Sequence, residues 1–167
     1  MYLLDSNVLK EAKNRYYGFA ICPGFWEWVR RGSGSALLGS VARIRDEIND
    51  GDEDDELRIW INDGTPLEFF EPDRATIEAM KEVTRWVMAQ DYDEQNRAAF
   101  FAKADPLLVA HAMAHEGTIV VTHESYVPAN SRKVKIPNVC EAMDVQWVNC
   151  FEMLRQEQAS FHLSPNV

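Results

Sequence analysis

Four carboxylates stand at positions where an open α/β sheet would bring side chains together. Asp5 follows the apolar run Tyr-Leu-Leu, and Glu124 comes two residues after the β-branched run TIVVT. Asp105 precedes a proline at a predicted helix start, and Glu47 lies on the helix predicted after the second strand. In such a sheet the carboxyl ends of the strands and the first turns of the following helices converge on one crevice. We therefore expect these four acids to be neighbours.

Clustered carboxylates point to metal chemistry. Ionised acids a few ångströms apart repel and raise at least one pKa, unless a divalent cation with a preference for oxygen ligands neutralises them. The cluster predicts a Mg²⁺ or Mn²⁺ site that polarises a phosphate oxygen and activates water. Asp5, which ends a buried strand, needs a partner or a metal to offset its desolvation. Helix capping explains Asp105 equally well, and Glu47 and Glu124 taken alone fit a solvated surface.

Strands and helices alternate along the chain. Short apolar or β-branched runs predict strands at residues 2–4, 36–39, 67–70, 118–122 and 134–137. Helical spacing of apolar residues and start signals predict helices after Ser6 and Asn7, at 24–30, after Ser40, and at 57–61, 73–90, 105–116 and 148–158, with 91–97 as a loop or short helix. This alternation predicts an α/β fold with a central parallel sheet.

Composition limits the class of protein. A length of 167 residues with 46% hydrophobic residues predicts a single domain over residues 1–167. No stretch approaches 18 apolar residues and an aspartate interrupts the N-terminal apolar run, so we expect a soluble, unexported protein with no membrane contact. Three cysteines without C-x-x-C spacing, Cys22, Cys140 and Cys150, fit a reducing cytoplasm.

The net charge of −10 argues against a broad basic surface for nucleic acid. Any nucleic-acid activity must be local, with positive charge supplied by a metal or by a partner. Basic residues that flank the first two acidic motifs are candidate RNA phosphate contacts, with a solvated face as the equal alternative. They are Lys10, Lys13, Arg15, Arg43 and Arg45.

Three segments together resemble the ordered motifs of PIN-domain nucleases. They are YLLDSNVLKEAK, SVARIRDEI and ADPLLVAHAMAHEGTIVVTHE, and they span roughly residues 2–126. The first resembles a hydrophobic strand that ends in Asp-Thr/Ser-Asn, and the third an Asp-started helix that leads into a strand ending in Thr-x-Asp. The segments NRYY (14–17), CPGFW (22–26) and IPNVC (136–140) are similar to a less characterised branch of that superfamily.

The resemblance implies a PIN-like three-layer α/β/α sandwich and Mg²⁺- or Mn²⁺-dependent hydrolysis of RNA. It also implies a role as a toxin with a cognate antitoxin, as in VapC-like proteins, and a homodimer. By motif position the metal-site and catalytic roles fall on Asp5, Glu47, Asp105 and Glu124, with Ser6 and Asn7 as polar support. The sequence departs from the pattern at Glu124, where aspartate is commoner and one methylene shorter.

Two other readings stay open. One is a non-catalytic protein of the same fold that binds a partner through the aromatic helix 24–30. The other is a phosphatase of the haloacid dehalogenase type, although that class needs a second aspartate where this chain has Asn7. His111 and His115 have the i, i+4 spacing of zinc ligands, but the glutamate of an H-E-x-x-H motif is missing, and helix packing is the alternative for both.

Overall fold

A five-stranded, all-parallel sheet forms the centre of the protein in a computed structural model, which describes residues 1–64 and 66–162. The strands are β1 (Tyr2–Leu4), β2 (Leu38–Val41), β3 (Phe69–Phe70), β4 (Ile119–Val121) and β5 (Trp147–Val148), in the order β3-β2-β1-β4-β5. Every residue of β1 and β2 is buried, so both faces of the sheet are covered. The fold class predicted from the sequence is confirmed.

Helices cover the sheet and complete a three-layer α/β/α sandwich. Within the described residues they are α1 (Ser6–Glu11), α2 (Pro23–Gly34), α3 (Ala42–Asn49), α4 (Glu56–Asn62), α5 (Arg74–Ala89), α6 (Glu94–Ala102), α7 (Asp105–Ala114), α8 (Ile136–Ala142) and α9 (Cys150–Gln156). A π-helical turn, Ala12–Tyr16, extends α1. Helix α7 packs against α5, β2 and β4. No helix in these two described ranges is long and apolar enough to span a membrane.

The order of the strands fixes where a site can form. The chain runs outward from β1 through β2 to β3, then returns to the other side of β1 with β4 and β5. A crevice opens where the order reverses, outside the carboxyl ends of β1 and β4. Register places Leu4 of β1 beside Val121 of β4, and the Asp5 amide donates to the Val121 carbonyl oxygen at 2.9 Å. Asp5 therefore stands at the edge of this crevice.

Two strand predictions need correction. The second strand was predicted at 36–39 but lies at Leu38–Val41, because Ala36 has a left-handed φ of 57° and belongs to a turn. The strand predicted at 134–137 is wrong, since Ile136 begins helix α8 and proline fits the first helical turn. The fifth strand is Trp147–Val148, which overlaps the start predicted for the last helix.

The aromatic helix lies in the core. Phe25, Trp26 and Val29 of α2 are buried, and the Trp26 ring stacks on Phe19 with ring centres 3.9 Å apart. The Trp26 indole N–H donates to the carbonyl oxygen of Tyr17. These side chains hold the segment after α1 against the sheet and offer little surface to a partner.

We predict that Gly39→Ala destabilises the fold by about 1–3 kcal/mol, the usual cost of overpacking a core. A Cβ at Gly39 would lie 2.5 Å from Cε2 of Phe70, whose ring stacks on His111. Gly34→Ala is the control, because a Cβ there has no neighbour within 4 Å among the described atoms. Urea unfolding measures both, and equal stability of the two variants would contradict the prediction.

Candidate functional site

All four predicted carboxylates line one cleft at the carboxyl edge of the sheet. The cleft has a volume of about 370 Å³, and Ser6 and Asn7 also line it. Its acidic members are Asp5, Glu47, Asp50, Asp105 and Glu124, and its basic members are Lys10, Arg43 and Lys103. Side chains separated by more than a hundred positions in the sequence are thus brought together by the parallel sheet.

Asp5 is the most deeply placed acid of the cleft. It is only 3% exposed, and the Thr122 hydroxyl donates to its Oδ2 at 2.8 Å. Burial raises the pKa of Asp5 to about 6; the Thr122 hydrogen bond opposes this shift and the charge of Glu124 adds to it. A charged Asp5 is therefore costly in this position, and a cation beside it would lower the cost.

Asp105 is the first residue of α7, and it does not cap that helix. The cap position is Ala104, and no side-chain hydrogen bond caps the helix, which corrects the capping interpretation. Burial, followed by the charge of Asp5, raises the pKa of Asp105 to about 7, while Lys103 acts in the opposite direction. Because capping does not account for Asp105, its half-buried carboxylate needs another explanation.

Glu47 connects α3 to the start of α7. Its Oε1 accepts a hydrogen bond from the Ala104 amide at 2.6 Å, one residue before Asp105. The contact joins residues 57 positions apart in the sequence. Glu47 thus satisfies a backbone donor at the entrance of α7 and adds its charge to those that raise the pKa of Asp105.

Glu124 is held by the chain's own cation. Its Oε1 lies 2.6 Å from the Lys135 ammonium group, and its Oε2 accepts from the Ile136 amide at 2.9 Å. Both side chains are half-buried, so the pair is screened less than a surface pair. Lys135 was not among the predicted site residues, because its partner lies 11 positions away in an irregular loop.

Thr122 joins the pieces of the cleft and was also missed as a site residue. The Thr122 hydroxyl donates to Asp5. The same Oγ1 accepts from the Asn7 side-chain amide at 3.3 Å and from the Glu124 backbone N–H at 3.1 Å. Asn7 Oδ1 in turn accepts from the His123 amide at 3.1 Å. The Thr-x-acid pattern at the end of β4 was the available signal. Asn7 is therefore hydrogen-bonded to two residues at the end of β4.

The predicted basic residues divide into two groups. Lys10 and Arg43 line the cleft, as does Lys103, which was not predicted although it directly precedes the third motif. The other three do not line it: Lys13 pairs with Asp55, Arg15 with Glu11, and Arg45 with Glu71. Three basic side chains, Lys10, Arg43 and Lys103, therefore lie at the cleft, and no broad basic surface is formed by the five predicted residues.

His111 and His115 have a packing role. His111 is 4% exposed, its ring stacks on His115 with centres 4.2 Å apart, and its Nδ1 lies 3.3 Å from the Thr76 hydroxyl. Burial lowers the pKa of His111 to about 4, so it is neutral. His115 Nε2 lies 3.2 Å from Asp73, the cap of α5. The pair thus joins α5 to α7.

The donors of the cleft suit a hard divalent cation. Asp5 and Asp105 offer carboxylate oxygens, and the charge of Asp5 helps to raise the pKa of Asp105, a repulsion that a cation relieves. In residues 1–64 and 66–162 no three His, Cys, Asp or Glu side chains already converge on a common metal position. Glu47 and Glu124 instead bind the Ala104 amide and Lys135, contacts that they would exchange to ligate a metal.

The fold and the cleft define an open parallel α/β domain with an acidic site at its topological switch point. Residues 2–161 match a family described as a domain of unknown function, DUF4411, and the chain belongs to that family. Comparison with curated proteins and with solved structures finds no significant match.

We predict that Asp105→Asn raises the free energy of unfolding at pH 8 in EDTA by on the order of 2 kcal/mol. The folded-state pKa values of Asp5 and Asp105, about 6 and about 7, lie above the ordinary 3.8. The folded state therefore favours the protonated forms of these carboxyls. The stability that this protonation contributes is full below about pH 4 and is lost as the pH rises through 6 to 7. The variant should flatten that decline.

The measurement is urea unfolding between pH 4 and 8, with the exposed Asp52→Asn as the matched control. Asp52→Asn should follow the parent curve. A parent whose stability is constant or rises from pH 5 to 8 would contradict the predicted charge repulsion in the cleft.

Proposed function

We propose that the protein is a Mg²⁺- or Mn²⁺-dependent endoribonuclease that hydrolyses phosphodiester bonds in RNA. The observation that carries the proposal is the pair of carboxylates in one cleft, the buried Asp5 and the half-buried Asp105, with the charge of Asp5 raising the pKa of Asp105. Strongly perturbed acids in a cleft are typical of functional sites. The resemblance of three ordered motifs to PIN-domain nucleases supports the same class of reaction.

Each acid has a role in this proposal. Asp5 and Asp105 would be the direct metal ligands, and Glu47 and Glu124 would orient water or complete a second metal position. The bound cation supplies a Lewis acid and neutralises charge on the phosphate. Thr122 and Asn7 keep Asp5 and the end of β4 in place through their hydrogen bonds. Attack by water forms an O–P bond and breaks the P–O3′ bond, which leaves 5′-phosphate and 3′-hydroxyl ends.

Charge fits a substrate that is contacted locally. The net charge of −10 repels a polyanion, but Lys10, Arg43 and Lys103 stand on the cleft itself. Arg43 is exposed, and its guanidinium donates to the Ala102 carbonyl oxygen at 3.3 Å beside the start of α7. These three side chains can contact phosphates that flank the scissile bond.

A basic partner, in the role of an antitoxin, forms part of the proposal. The contact between Lys135 and Glu124 is a precedent inside the chain for a lysine that neutralises an acid of this cleft. An arginine or lysine of a partner protein could do the same for Asp5 and Asp105. We also propose a homodimer and a cytoplasmic location, the latter supported by the free thiols of Cys22, Cys140 and Cys150.

The two alternative functions have less support. Partner binding through helix 24–30 would need exposed aromatic side chains, whereas Phe25 and Trp26 are buried and Trp28 is half-buried. A phosphatase of the haloacid dehalogenase type would need an acid in place of Asn7, whose amide instead bonds Thr122 and the His123 backbone. The nuclease proposal uses all the acids of the cleft that the motifs identify.

We predict that Asp5→Asn and Asp105→Asn each lower RNA cleavage a hundredfold or more, equivalent to about 2.7 kcal/mol of barrier. Each substitution keeps the shape of the side chain and removes the charge that would hold the metal. Single-turnover cleavage of labelled RNA with Mn²⁺ measures the effect, with Asp52→Asn as an unaffected control. Glu124→Asp should alter activity only mildly. Parent-like cleavage by both Asn variants would refute the assignment.

We also predict that Mn²⁺ or Mg²⁺ binds with a millimolar or tighter dissociation constant and raises the unfolding temperature. A ligand at 100 times its dissociation constant adds about 2.7 kcal/mol to stability. Calorimetry of protein stripped with EDTA measures the binding directly. The Asp105→Asn variant should lose most of the stabilisation. Absence of any binding heat or thermal shift in the parent would count against a metal site.

A further inference from the structure

A second cavity is lined in part by residues that lie two positions along the chain from residues of the carboxylate cleft. It has a volume of about 490 Å³ and lies between the end of α5, the loop after β4 and helix α8. Three aromatic side chains line it, Trp86, Tyr92 and Tyr126, together with polar residues that include Arg132 and Asn138. We call this cavity the aromatic pocket.

The aromatic pocket and the cleft share two segments of chain. Glu124 and Ile136 line the cleft, whereas Tyr126 and Asn138 line the pocket. Each pocket residue lies two positions after its counterpart in the cleft, and two residues of extended chain span at most about 7 Å. A strand with a phosphate in the cleft could therefore place a neighbouring nucleotide at the pocket.

The pocket offers aromatic surface and free hydrogen-bonding groups. Tyr126 is 54% exposed, and the rings of Trp86 and Tyr92 lie edge to face with centres 6.2 Å apart. Within the described part of the chain, the Trp86 indole N–H and the hydroxyls of Tyr92 and Tyr126 make no hydrogen bond to protein atoms. Such amphipathic rings suit a flat ligand with polar edges.

The charge of the pocket favours a base over a phosphate. The Arg132 guanidinium is neutralised by Asp91, with Nη1 2.7 Å from Oδ1. Glu141 adds a negative charge at the wall, where its Oε1 accepts from the Trp147 indole N–H at 2.9 Å. A phosphate would be repelled by these acids, and the described residues of the pocket lining include no unpaired cation to bind it. A neutral nucleobase carries no net charge and is not repelled.

The walls of the pocket are held in place before any ligand binds. The Asn138 side chain accepts from the Val127 amide at 3.0 Å and donates to the Val127 carbonyl oxygen at 2.8 Å. Gln90 Nε2 donates to the Trp86 carbonyl oxygen at 3.1 Å, which ties the end of α5. Preformed walls reduce the entropy lost on binding.

We propose that the aromatic pocket binds an unpaired nucleobase of the RNA strand whose scissile phosphate lies in the carboxylate cleft. This inference rests on the proposed ribonuclease function and specifies its substrate as single-stranded RNA. Bases splayed out of a strand are commonly bound by stacking on aromatic side chains, a contact that every base can make. Tyr126 is the residue best placed to stack, because it is the most exposed of the three rings.

Binding of RNA without cleavage tests the pocket separately from the chemistry. The probe is a fluorescein-labelled, unpaired RNA of eight nucleotides, titrated in EDTA and followed by fluorescence anisotropy. All variants carry Asp105→Asn, which prevents cleavage and reduces repulsion of the RNA. Tyr126→Ala should weaken binding at least fivefold, and Tyr126→Phe should stay within twofold of the background protein because it keeps the ring. A self-complementary RNA duplex should bind more weakly than the unpaired strand.

Ile59→Ala is the control, because Ile59 on α4 is 56% exposed and lies outside the pocket. Thermal unfolding checks that Tyr126→Ala is folded like its background. If it is not, Tyr126→Leu is the second variant, which removes the aromatic ring but keeps apolar bulk and should weaken binding at least twofold. Equal binding by Tyr126→Ala and the background protein would overturn the proposal, as would failure of the RNA to bind. Tyr126-dependent binding by a protein that never cleaves RNA would support the pocket and refute the nuclease.

Discussion

Repulsion between a buried and a half-buried acid, Asp5 and Asp105, is the constraint on which the rest of this structure depends. Asp5 closes the central strand in a position that is 3% exposed, and its charge helps to raise the pKa of Asp105 to about 7. One unit of pKa shift corresponds to about 1.4 kcal/mol, and a domain is stable by only about 5–15 kcal/mol. The chain retains a cost that apolar packing would remove, which is characteristic of a functional site.

The surrounding structure limits this cost with specific contacts. Thr122 donates to Asp5, the Ala104 amide donates to Glu47, and Lys135 pairs with Glu124. These contacts hydrogen-bond or neutralise three of the four acids. Asp105, in contrast, makes no helix-capping hydrogen bond. In the proposed function, Glu47 and Glu124 would exchange these internal partners for a cation.

Glu124 joins the loop after β4 to the start of helix α8. Its side chain extends from the loop after β4 to the first residues of α8, where both carboxylate oxygens find donors. The same two segments continue to Tyr126 and Asn138 in the aromatic pocket, and the Asn138 amide fixes the Val127 backbone. The glutamate is therefore part of the connection between two cavities as well as an acid of the first.

Local patterns in the sequence determined the α/β class and strands β1 and β4, because apolar runs and the alternation of strands with helices are short-range features of the sequence. They also indicated the convergence of the four carboxylates, because the carboxyl ends of parallel strands lie at one edge of the sheet. Tertiary structure decided the partners of Lys13 and Lys135. Lys13 pairs with Asp55 across 42 positions and Lys135 with Glu124 across 11, separations that no periodicity encodes. The two-residue strand β5 likewise depends on pairing with β4, because so short a segment has no stable structure alone.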